Sequence, residues 1–230
     1  MIGIIGAMDI EVQQLRDVLV NPKVQVVSGI EFAQGTIAGK DVVVAKCGVG
    51  KVFAAMCAQI MMMKYPITRL INAGVAGSLS TDLHVGDLAI SSGVVQHDVD
   101  TSAVGDPPGL ISGINIIEFK ADTAMSEKLG YLAEAMNVHS KTGVIATGDQ
   151  FINDAKKRET IAQQFNAIAS EMEAGAIAQV AYVNQCPFVS IRVISDEANG
   201  KATEDYSTFC KKAADISSTL TVALVNSLHE

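Results

Sequence analysis

The chain lacks tryptophan, and aromatic residues make up only 5% of its 230 residues. A large core must therefore be built from aliphatic side chains and methionine, and hydrophobic residues reach 49% of the chain. That share is more than a monomer of this length needs, which favours a buried subunit interface. The length favours one large α/β domain over residues 1–230 rather than two small ones.

Clusters of basic residues are also missing. Lys and Arg number 17 against 25 Asp and Glu, which gives a formal net charge of −8 and disfavours binding to nucleic acid or an anionic membrane. The most apolar helix-like stretch, residues 52–63, contains Gln59, stops at Lys64, and is too short to span a bilayer. The N-terminus also lacks the pattern of a signal peptide. These features predict a cytoplasmic protein.

The four cysteines form no C-x-x-C pair, so neither a zinc site nor a disulfide framework is predicted. The stretch His97-Asp98-Val99-Asp100 contains metal-binding residue types. Alternation along an extended segment would send Asp98 and Asp100 to one side and His97 to the other. A surface or interface loop is therefore preferred, and no metal is predicted.

Short apolar runs alternate with segments of helical period along the whole chain. Strands are predicted at 2–8, 24–27, 30–37, 40–47, 69–73, 86–97, 140–147, 167–170 and 187–195. Helices are predicted at 9–20, 51–63, 122–136, 154–165 (a charged surface helix), 171–183 and 205–228. A long loop rich in Gly, Pro and Ser covers 101–116. The pattern predicts an α/β fold, a three-layer single domain with a central mixed β-sheet flanked by helices.

The strand at 187–195 is followed by a carboxylate, Asp196, where ligands of open α/β sheets bind. Burial could tune that carboxylate as a proton donor. Taken alone, Asp196 is more typical of a helix cap or a turn. Glu11 lies in the first turn of the helix at 9–20, where its simplest role is to complement the helix dipole.

Small residues at 74–78 follow another strand and would let a ligand approach the backbone. The stretch Gly48-Val49-Gly50-Lys51 lacks the spacing of a phosphate loop, so a tight turn is preferred there. Phe151 follows the strand at 140–147, and it fits either a core position or a platform for a flat ring.

The stretch Glu171-Met172-Glu173 is predicted to open the apolar helix at 171–183. Residues two apart share a face in a strand but not in a helix, so only one of these carboxylates is expected to face a site if the helix prediction holds. Burying a carboxylate there is costly without a partner or a ligand. Functional and structural interpretations of this pair both stay open.

Five motifs then point to a family. They are Gly3-Ile4-Ile5-Gly6-Ala7-Met8 followed by Glu11, Gly74-Val75-Ala76-Gly77, Gly148-Asp149-Gln150-Phe151, Ser170-Glu171-Met172-Glu173-Ala174 and Arg192-Val193-Ile194-Ser195-Asp196. In this order the chain resembles the bacterial 5′-methylthioadenosine/S-adenosylhomocysteine nucleosidases of the purine nucleoside phosphorylase and hydrolase superfamily. The resemblance implies a homodimer that hydrolyses the N-ribosidic bond, releasing adenine and 5-methylthioribose or S-ribosylhomocysteine. It implies no metal and no organic cofactor.

The resemblance also implies the chemical roles. Asp196 would donate a proton to N7 of adenine, while Glu11 would activate the attacking water and Arg192 would help to orient it. Each proton transfer is typically worth about 10²–10⁴ in rate. Glu173 would bind the ribose hydroxyls and add electrostatic stabilisation as positive charge develops on the sugar.

The remaining matched residues would bind substrate. Met172 would pack on the sugar, and Phe151 would stack on adenine. The purine would also be held by the backbone of Ile152, by Ser195 and at the small residues Ala76 and Gly77.

The 5′-alkylthio group would lie among Met8, Val49 and Tyr206. A loop of a neighbouring subunit, residues 101–104, would complete this pocket. Relatives commonly have an aromatic residue at Val104 and often Phe at Tyr206, so these departures leave the preference among 5′-substituents open.

Three alternatives remain at this point. One is a phosphorylase of the same fold, although Glu11 would repel phosphate. Another is a hydrolase for a different 5′-substituted nucleoside, such as 5′-deoxyadenosine or aminodeoxyfutalosine. The third is a purine-binding sensor without catalysis, which the presence of both Glu11 and Asp196 disfavours.

Overall fold

The computed structural model describes residues 1–197 and 202–228, without the side chains of 202–205 and 207. Within this part the strands are β1 (Ile2–Gly6), β2 (Val20–Val27), β3 (Ile30–Ile37), β4 (Lys40–Lys46), β5 (Arg69–Ser78), β6 (Leu88–Gln96), β7 (Glu118–Lys120), β8 (Ser140–Thr147), β9 (Ala167–Glu171) and β10 (Phe188–Asp196). The helices are α1 (Asp9–Asp17), α2 (Lys51–Lys64), α3 (Thr123–Ala135), α4 (Ala155–Phe165), α5 (Ala174–Val183) and α6 (Ala202–Ser227). A short 3₁₀ helix spans Ser102–Val104.

The strands form one mixed sheet, as the sequence predicts. β1 pairs in parallel with β4 and β5, and β5 pairs in parallel with β10. β2 and β3 extend the sheet beyond β4 as antiparallel strands. Because β1, β4, β5 and β10 run in the same direction, their carboxyl ends meet at one edge of the sheet.

Part of the sheet closes on itself, which the sequence did not predict. β10 pairs antiparallel with β6, β6 pairs with β8, and β8 pairs with β9. β9 then returns to β5, where Ser170 lies opposite Gly77. We call β5, β10, β6, β8 and β9 the strand ring. It brings the end of β9 beside the ends of β5 and β10.

Helices cover both faces of the sheet, so the three-layer prediction is confirmed. Ile4 packs with residues of α1, α3 and α6, whereas Ile5 packs with residues of α2 and α5. Neighbouring residues of a strand point to opposite faces, which explains this division. Full burial of each isoleucine stabilises the fold by about 1.5–3 kcal/mol.

Some predicted boundaries are wrong. The first helix ends at Asp17 rather than near residue 20, because Val20 already pairs with Thr36 of β3. β5 continues to Ser78 rather than ending at residue 73, because residues 74–77 pair with β10. The short β7 pairs with β6 in a stretch that has no strand pattern of its own. No helix in the described ranges has the length and apolar character that a membrane crossing requires.

Candidate active site

The carboxyl ends of β1, β5, β9 and β10 surround an open cleft. Its walls are formed by Ala7, Met8, Glu11, Val49, Val75, Ala76, Gly77, Phe151, Ser170, Glu171, Met172, Glu173, Ser195, Asp196 and Tyr206. Most of the site residues predicted from the sequence therefore line one cleft, although they come from distant parts of the chain.

Glu11 is the buried carboxylate at the start of α1, with 2% of its surface exposed. One oxygen accepts hydrogen bonds from the backbone N–H groups of Ala7 (2.7 Å) and Met8 (2.9 Å). The other accepts one from Val75 N–H of β5 at 3.0 Å. Burial raises the pKa of Glu11, and the nearby Arg192 cation opposes that rise. Glu11 does more than complement a helix dipole, because it joins α1 to β5 inside the cleft.

Arg192 lies behind the cleft rather than in its wall. Its guanidinium donates to the side chains of Asn72 and Glu171, and its Nε donates to Ser190 Oγ at 3.2 Å. A methyl group at Gly74 would come within 3.0 Å of both the Arg192 guanidinium and the Glu11 carboxylate. Gly74 thus makes room for protein side chains, whereas the sequence suggested room for a ligand.

The prediction that a helix begins at Glu171 is wrong. Glu171 is the last residue of β9 and lies opposite Thr147 of β8. Its carboxylate accepts the N–H groups of Glu173 (2.9 Å) and Ala174 (2.8 Å), which lie at the start of α5. The condition for expecting only one of the carboxylates of Glu171 and Glu173 at the site therefore does not hold, and both residues line the cleft.

Glu173 is 4% exposed, and it accepts a hydrogen bond from Gly50 N–H at 2.9 Å. Its other carboxylate oxygen lies 3.8 Å from Arg192. Burial, together with the like charge of Glu171, raises the pKa of Glu173 to about 7. Gly50 has a φ of +99°, which confirms a tight turn at residues 48–51 and aims this N–H at the carboxylate.

Asp196 ends β10 and is buried, as predicted. Ser195 Oγ donates to one carboxylate oxygen at 2.9 Å, and Arg158 donates to the other. A cap or turn at Asp196 would depend on residues 198–201, which lie outside the described residues. Arg158 of α4 was missed, because its helix was interpreted as a charged surface helix, whereas Arg158 is 2% exposed.

An aromatic pair borders the apolar part of the cleft. The rings of Phe151 and Tyr206 meet edge to face, with centroids 5.5 Å apart. Phe151 is 47% exposed, so it is no core residue, and its ring is free on the cleft side. Tyr206 Oη donates to Met8 Sδ at 3.2 Å. Burial raises the pKa of Tyr206, so the phenol stays protonated at neutral pH.

Besides Arg192, two predicted site residues do not line the cleft. Ile152 is buried, and its carbonyl accepts a hydrogen bond from Arg158 Nε at 2.7 Å. Val104 is 82% exposed in the 3₁₀ helix and lies outside the cleft of its own chain.

The His97–Asp100 stretch forms a turn beside the site. Asp98 pairs with Lys51 Nζ at 2.6 Å and accepts Asp149 N–H at 2.9 Å. Asp100 accepts Ser102 N–H at 2.8 Å. The two bonds of Asp98 connect Lys51, at the start of α2, to Asp149, which shortly precedes Phe151. In the part of the chain that the structure describes, no three His, Cys, Asp or Glu side chains are grouped as metal ligands are.

Comparison with known proteins identifies the family. A family model described as the phosphorylase superfamily matches residues 1–226. The 5′-methylthioadenosine/S-adenosylhomocysteine nucleosidase of Staphylococcus haemolyticus is 40% identical over 229 residues, which cover 99% of this chain and 100% of the relative. The chain belongs to the 5′-methylthioadenosine/S-adenosylhomocysteine nucleosidase family.

Solved structures agree with this nucleosidase family. The Neisseria meningitidis nucleosidase in complex with methylthio-immucillin-A has a TM-score of 0.95 and 34% identity, with 99% of each chain covered. The futalosine hydrolase of Helicobacter pylori has a TM-score of 0.94 and 32% identity, with 99% of this chain and 97% of that chain covered. The predicted family and fold are thereby confirmed, and the roles of single residues stay predictions.

Proposed function

We propose that this nucleosidase hydrolyses the N-ribosidic bond of 5′-methylthioadenosine and S-adenosylhomocysteine. The products are adenine and 5-methylthioribose or S-ribosylhomocysteine. The observation that carries the proposal is the pair of buried carboxylates, Glu11 and Asp196, which line one cleft with an exposed aromatic ring beside them. The family relationship over the full chain supports the same reaction.

In this reaction the C1′–N9 bond breaks, and its electron pair goes to the purine. Asp196 gives its proton to N7, so the base leaves as neutral adenine. The oxygen of a water molecule bonds to C1′, and one of its protons passes to Glu11. Solvent then returns a proton to Asp196 and removes one from Glu11. Each positioned transfer contributes about 10²–10⁴ in rate.

Glu11 suits the base role because it keeps its carboxylate among backbone N–H donors while burial raises its pKa. A general base works best when its pKa lies near the working pH. Arg192 supports the base from behind by its charge and by holding Glu171, rather than by touching the water.

Glu173 binds the ribose hydroxyls in this proposal, and Met172 packs beside the sugar. Phe151 stacks on adenine with its free face. Ser195, Ala76 and Gly77 border the purine, and the backbone of Ile152 lies next to it.

The 5′-alkylthio group lies against Met8, Val49 and Tyr206. These side chains offer a thioether, an aliphatic group and a phenol ring, which suit an apolar sulfur substituent. The Tyr206 hydroxyl is the one polar group among these three side chains, and it could influence which 5′-substituent the site prefers.

A phosphorylase reaction is disfavoured by charge. Four acidic residues line the cleft, namely Glu11, Glu171, Glu173 and Asp196. Arg192 and Arg158 pair with Glu171 and Asp196, but no Lys or Arg of the described chain lines the cleft itself. A phosphate dianion would meet repulsion there.

A hydrolase for another 5′-substituted nucleoside is the second candidate, and the likeness to a futalosine hydrolase favours it. Adenine release decides among these activities. We expect release from 5′-methylthioadenosine and S-adenosylhomocysteine in phosphate-free buffer, faster than from 5′-deoxyadenosine or aminodeoxyfutalosine. A strict requirement for phosphate would overturn hydrolysis, and a faster rate with aminodeoxyfutalosine would reassign the substrate. Tight adenine binding without cleavage of any nucleoside would indicate a sensor.

The active form in this proposal is a homodimer. Val52, Phe53 and Met56 of α2, which we call the α2 patch, are 70%, 54% and 41% exposed. This apolar patch follows Val49, which lines the cleft. A second copy seated there would cover the patch and could bring its own residues 101–104, with Val104, to the 5′ end of the substrate.

A cytoplasmic location is part of the same proposal. All four cysteines, Cys47, Cys57, Cys186 and Cys210, are free thiols, as a reducing compartment requires.

A further inference from the structure

Arg158 is a buried cation that neither the sequence motifs nor the proposed reaction uses. It lies on α4, a helix whose other charged side chains are exposed. Its guanidinium makes three different contacts, and each goes to a segment at the purine end of the cleft. The side chain is 2% exposed, as is that of Asp196, its ion-pair partner.

The first two contacts join backbone segments. Nε donates to the carbonyl of Ile152 at 2.7 Å, directly after Phe151. Nη1 donates to the carbonyl of Ser78 at 3.1 Å, at the end of β5. One guanidinium therefore fixes the segment of the stacking residue relative to the strand ring.

The third contact fixes the orientation of the Asp196 carboxylate. Nη2 of Arg158 donates to Oδ2, while Ser195 Oγ donates to Oδ1. With both oxygens engaged, the carboxylate plane cannot turn freely. The pair lies directly on Gly77, where a methyl group would come within 3.0 Å of Asp196 Oδ2 and 3.2 Å from Arg158 Nη2.

A lysine could not replace this arrangement, because its single ammonium group cannot span three acceptors as the planar guanidinium does. Removing both charges from water is costly, so a buried pair is not by itself a device for stability. The geometry instead serves orientation, since it holds the proton donor and the aromatic platform at a fixed separation.

We propose that Arg158 is a positioning residue for Asp196, and that it sets the direction from which the proton reaches the purine. This inference rests on the proposed role of Asp196 as the acid. Arg158 does not touch the substrate; it acts through Asp196 and through the carbonyl of Ile152.

The test combines Arg158→Met, Arg158→Lys and Asp196→Asn in steady-state adenine-release assays, which give kcat and KM separately. Arg158→Met should lower kcat by about 10- to 100-fold, because a small misplacement of a reacting group has such effects. KM should change by less than about threefold, because Arg158 makes no contact with the substrate. Arg158→Lys should recover part of kcat. Lys156→Met, which removes an exposed cation from the same helix, should leave kcat unchanged.

The double variant separates positioning from general damage. In the Asp196→Asn background, Arg158→Met should reduce the rate by less than about twofold further, because its effect acts through the missing acid. An undiminished second loss would overturn the inference, as would a near-normal kcat in Arg158→Met. If Arg158→Met does not fold, Arg158→Lys carries the same cycle.

The two proposals fail in different ways. Wild-type protein that releases no adenine, or Asp196→Asn with a normal rate, overturns the proposed function. An active wild type and an inactive Asp196→Asn, together with an unaffected Arg158→Met, overturn the role of Arg158 alone.

Discussion

Two buried carboxylates of the cleft are stabilised by different kinds of partner. Glu11 accepts three backbone N–H groups, whereas Asp196 accepts a hydroxyl and a guanidinium. Burial raises the pKa of Glu11, and its backbone donors and the Arg192 cation oppose that rise. The two carboxyl groups to which opposite proton transfers are proposed therefore lie in different electrostatic surroundings.

Replacing either carboxylate by its amide should remove most of the activity. For Asp196→Asn and Glu11→Gln we expect adenine release to fall by about 10²–10⁴-fold, because each loses one proton transfer. Circular dichroism should show an intact fold. As a control, Glu31→Gln on β3 breaks an ion pair with Arg16 of α1 and should leave the rate of adenine release unchanged. Retained turnover in Asp196→Asn or Glu11→Gln would remove that residue from the mechanism.

Glu173 should make stability depend on pH. In the unfolded chain this carboxyl titrates near 4.5, and in the folded protein its pKa is raised to about 7. Between these values the folded state binds more protons than the unfolded state, so the free energy of unfolding falls as pH rises. Above pH 7 the ionised group costs on the order of 1–3 kcal/mol.

Glu173→Gln should therefore raise the Tm at pH 8.5 and change it little at pH 5. Thermal unfolding at both pH values measures this difference, and Glu134→Gln on the exposed side of α3 is the control. An equal shift at the two pH values would contradict the assignment.

At the scale of elements, β5 is the strand on which the cleft is built. It gives Val75 N–H to Glu11, and its Gly74 lies against both Glu11 and Arg192. Its pairing with β10 brings Gly77 beside Asp196. A single strand thus places the proposed base, Glu11, and the proposed acid, Asp196, in one register.

Gly74→Ala should test this role of β5. The added methyl group meets Glu11 and Arg192 within 3.0 Å, and neither can move without losing buried hydrogen bonds. We expect a loss of about 1–3 kcal/mol in the free energy of unfolding and a fall in kcat of at least about tenfold.

Gly130→Ala on α3 is the matched control, because its methyl group meets nothing within 4 Å. Removing a glycine from a helix interior should stabilise the protein by about 0.5–1 kcal/mol and leave kcat unchanged. Urea unfolding and adenine release measure both variants, and normal kcat in Gly74→Ala would contradict the prediction.

The elements could largely be predicted from the sequence, because hydrophobic period and turn residues mark them locally. Glu171 could not, since its place in β9 depends on pairing with Thr147, which no local pattern shows. Arg158 could not either. Its helix carries several cations, and only the position of Asp196, 38 residues away, decides which of them is buried. The strand ring was missed because it depends on two pairings of β9.

At the scale of the whole molecule, the exposed α2 patch and the exposed Val104 have one common explanation. The α2 patch is exposed, and Val104 lies far outside the cleft of its own chain. Both observations are explained if two copies associate and exchange the loop that contains Val104. Activity and association should then be coupled.

Val52→Asp should weaken association. Val52 is 70% exposed near the start of α2, where a negative charge favours the helix dipole, so the monomer should stay folded. We expect sedimentation to shift from dimer toward monomer, with a higher KM for the 5′-alkylthio substrate. Val26→Asp, at an equally exposed valine of β2, should change neither property. A stable Val52→Asp dimer with normal KM would contradict the proposed interface.

The strand ring has a consequence for how the chain is made. β5 and β6 are neighbours in sequence, yet β10 lies between them and is synthesised almost last. Until β10 is made, the edges of β5 and β6 that it will cover stay unpaired. Such open edges can pair with incorrect strands of the same chain or of another chain. Pairings between such distant segments also form slowly. Refolding should therefore recover helix content first and adenine release only when β10 inserts.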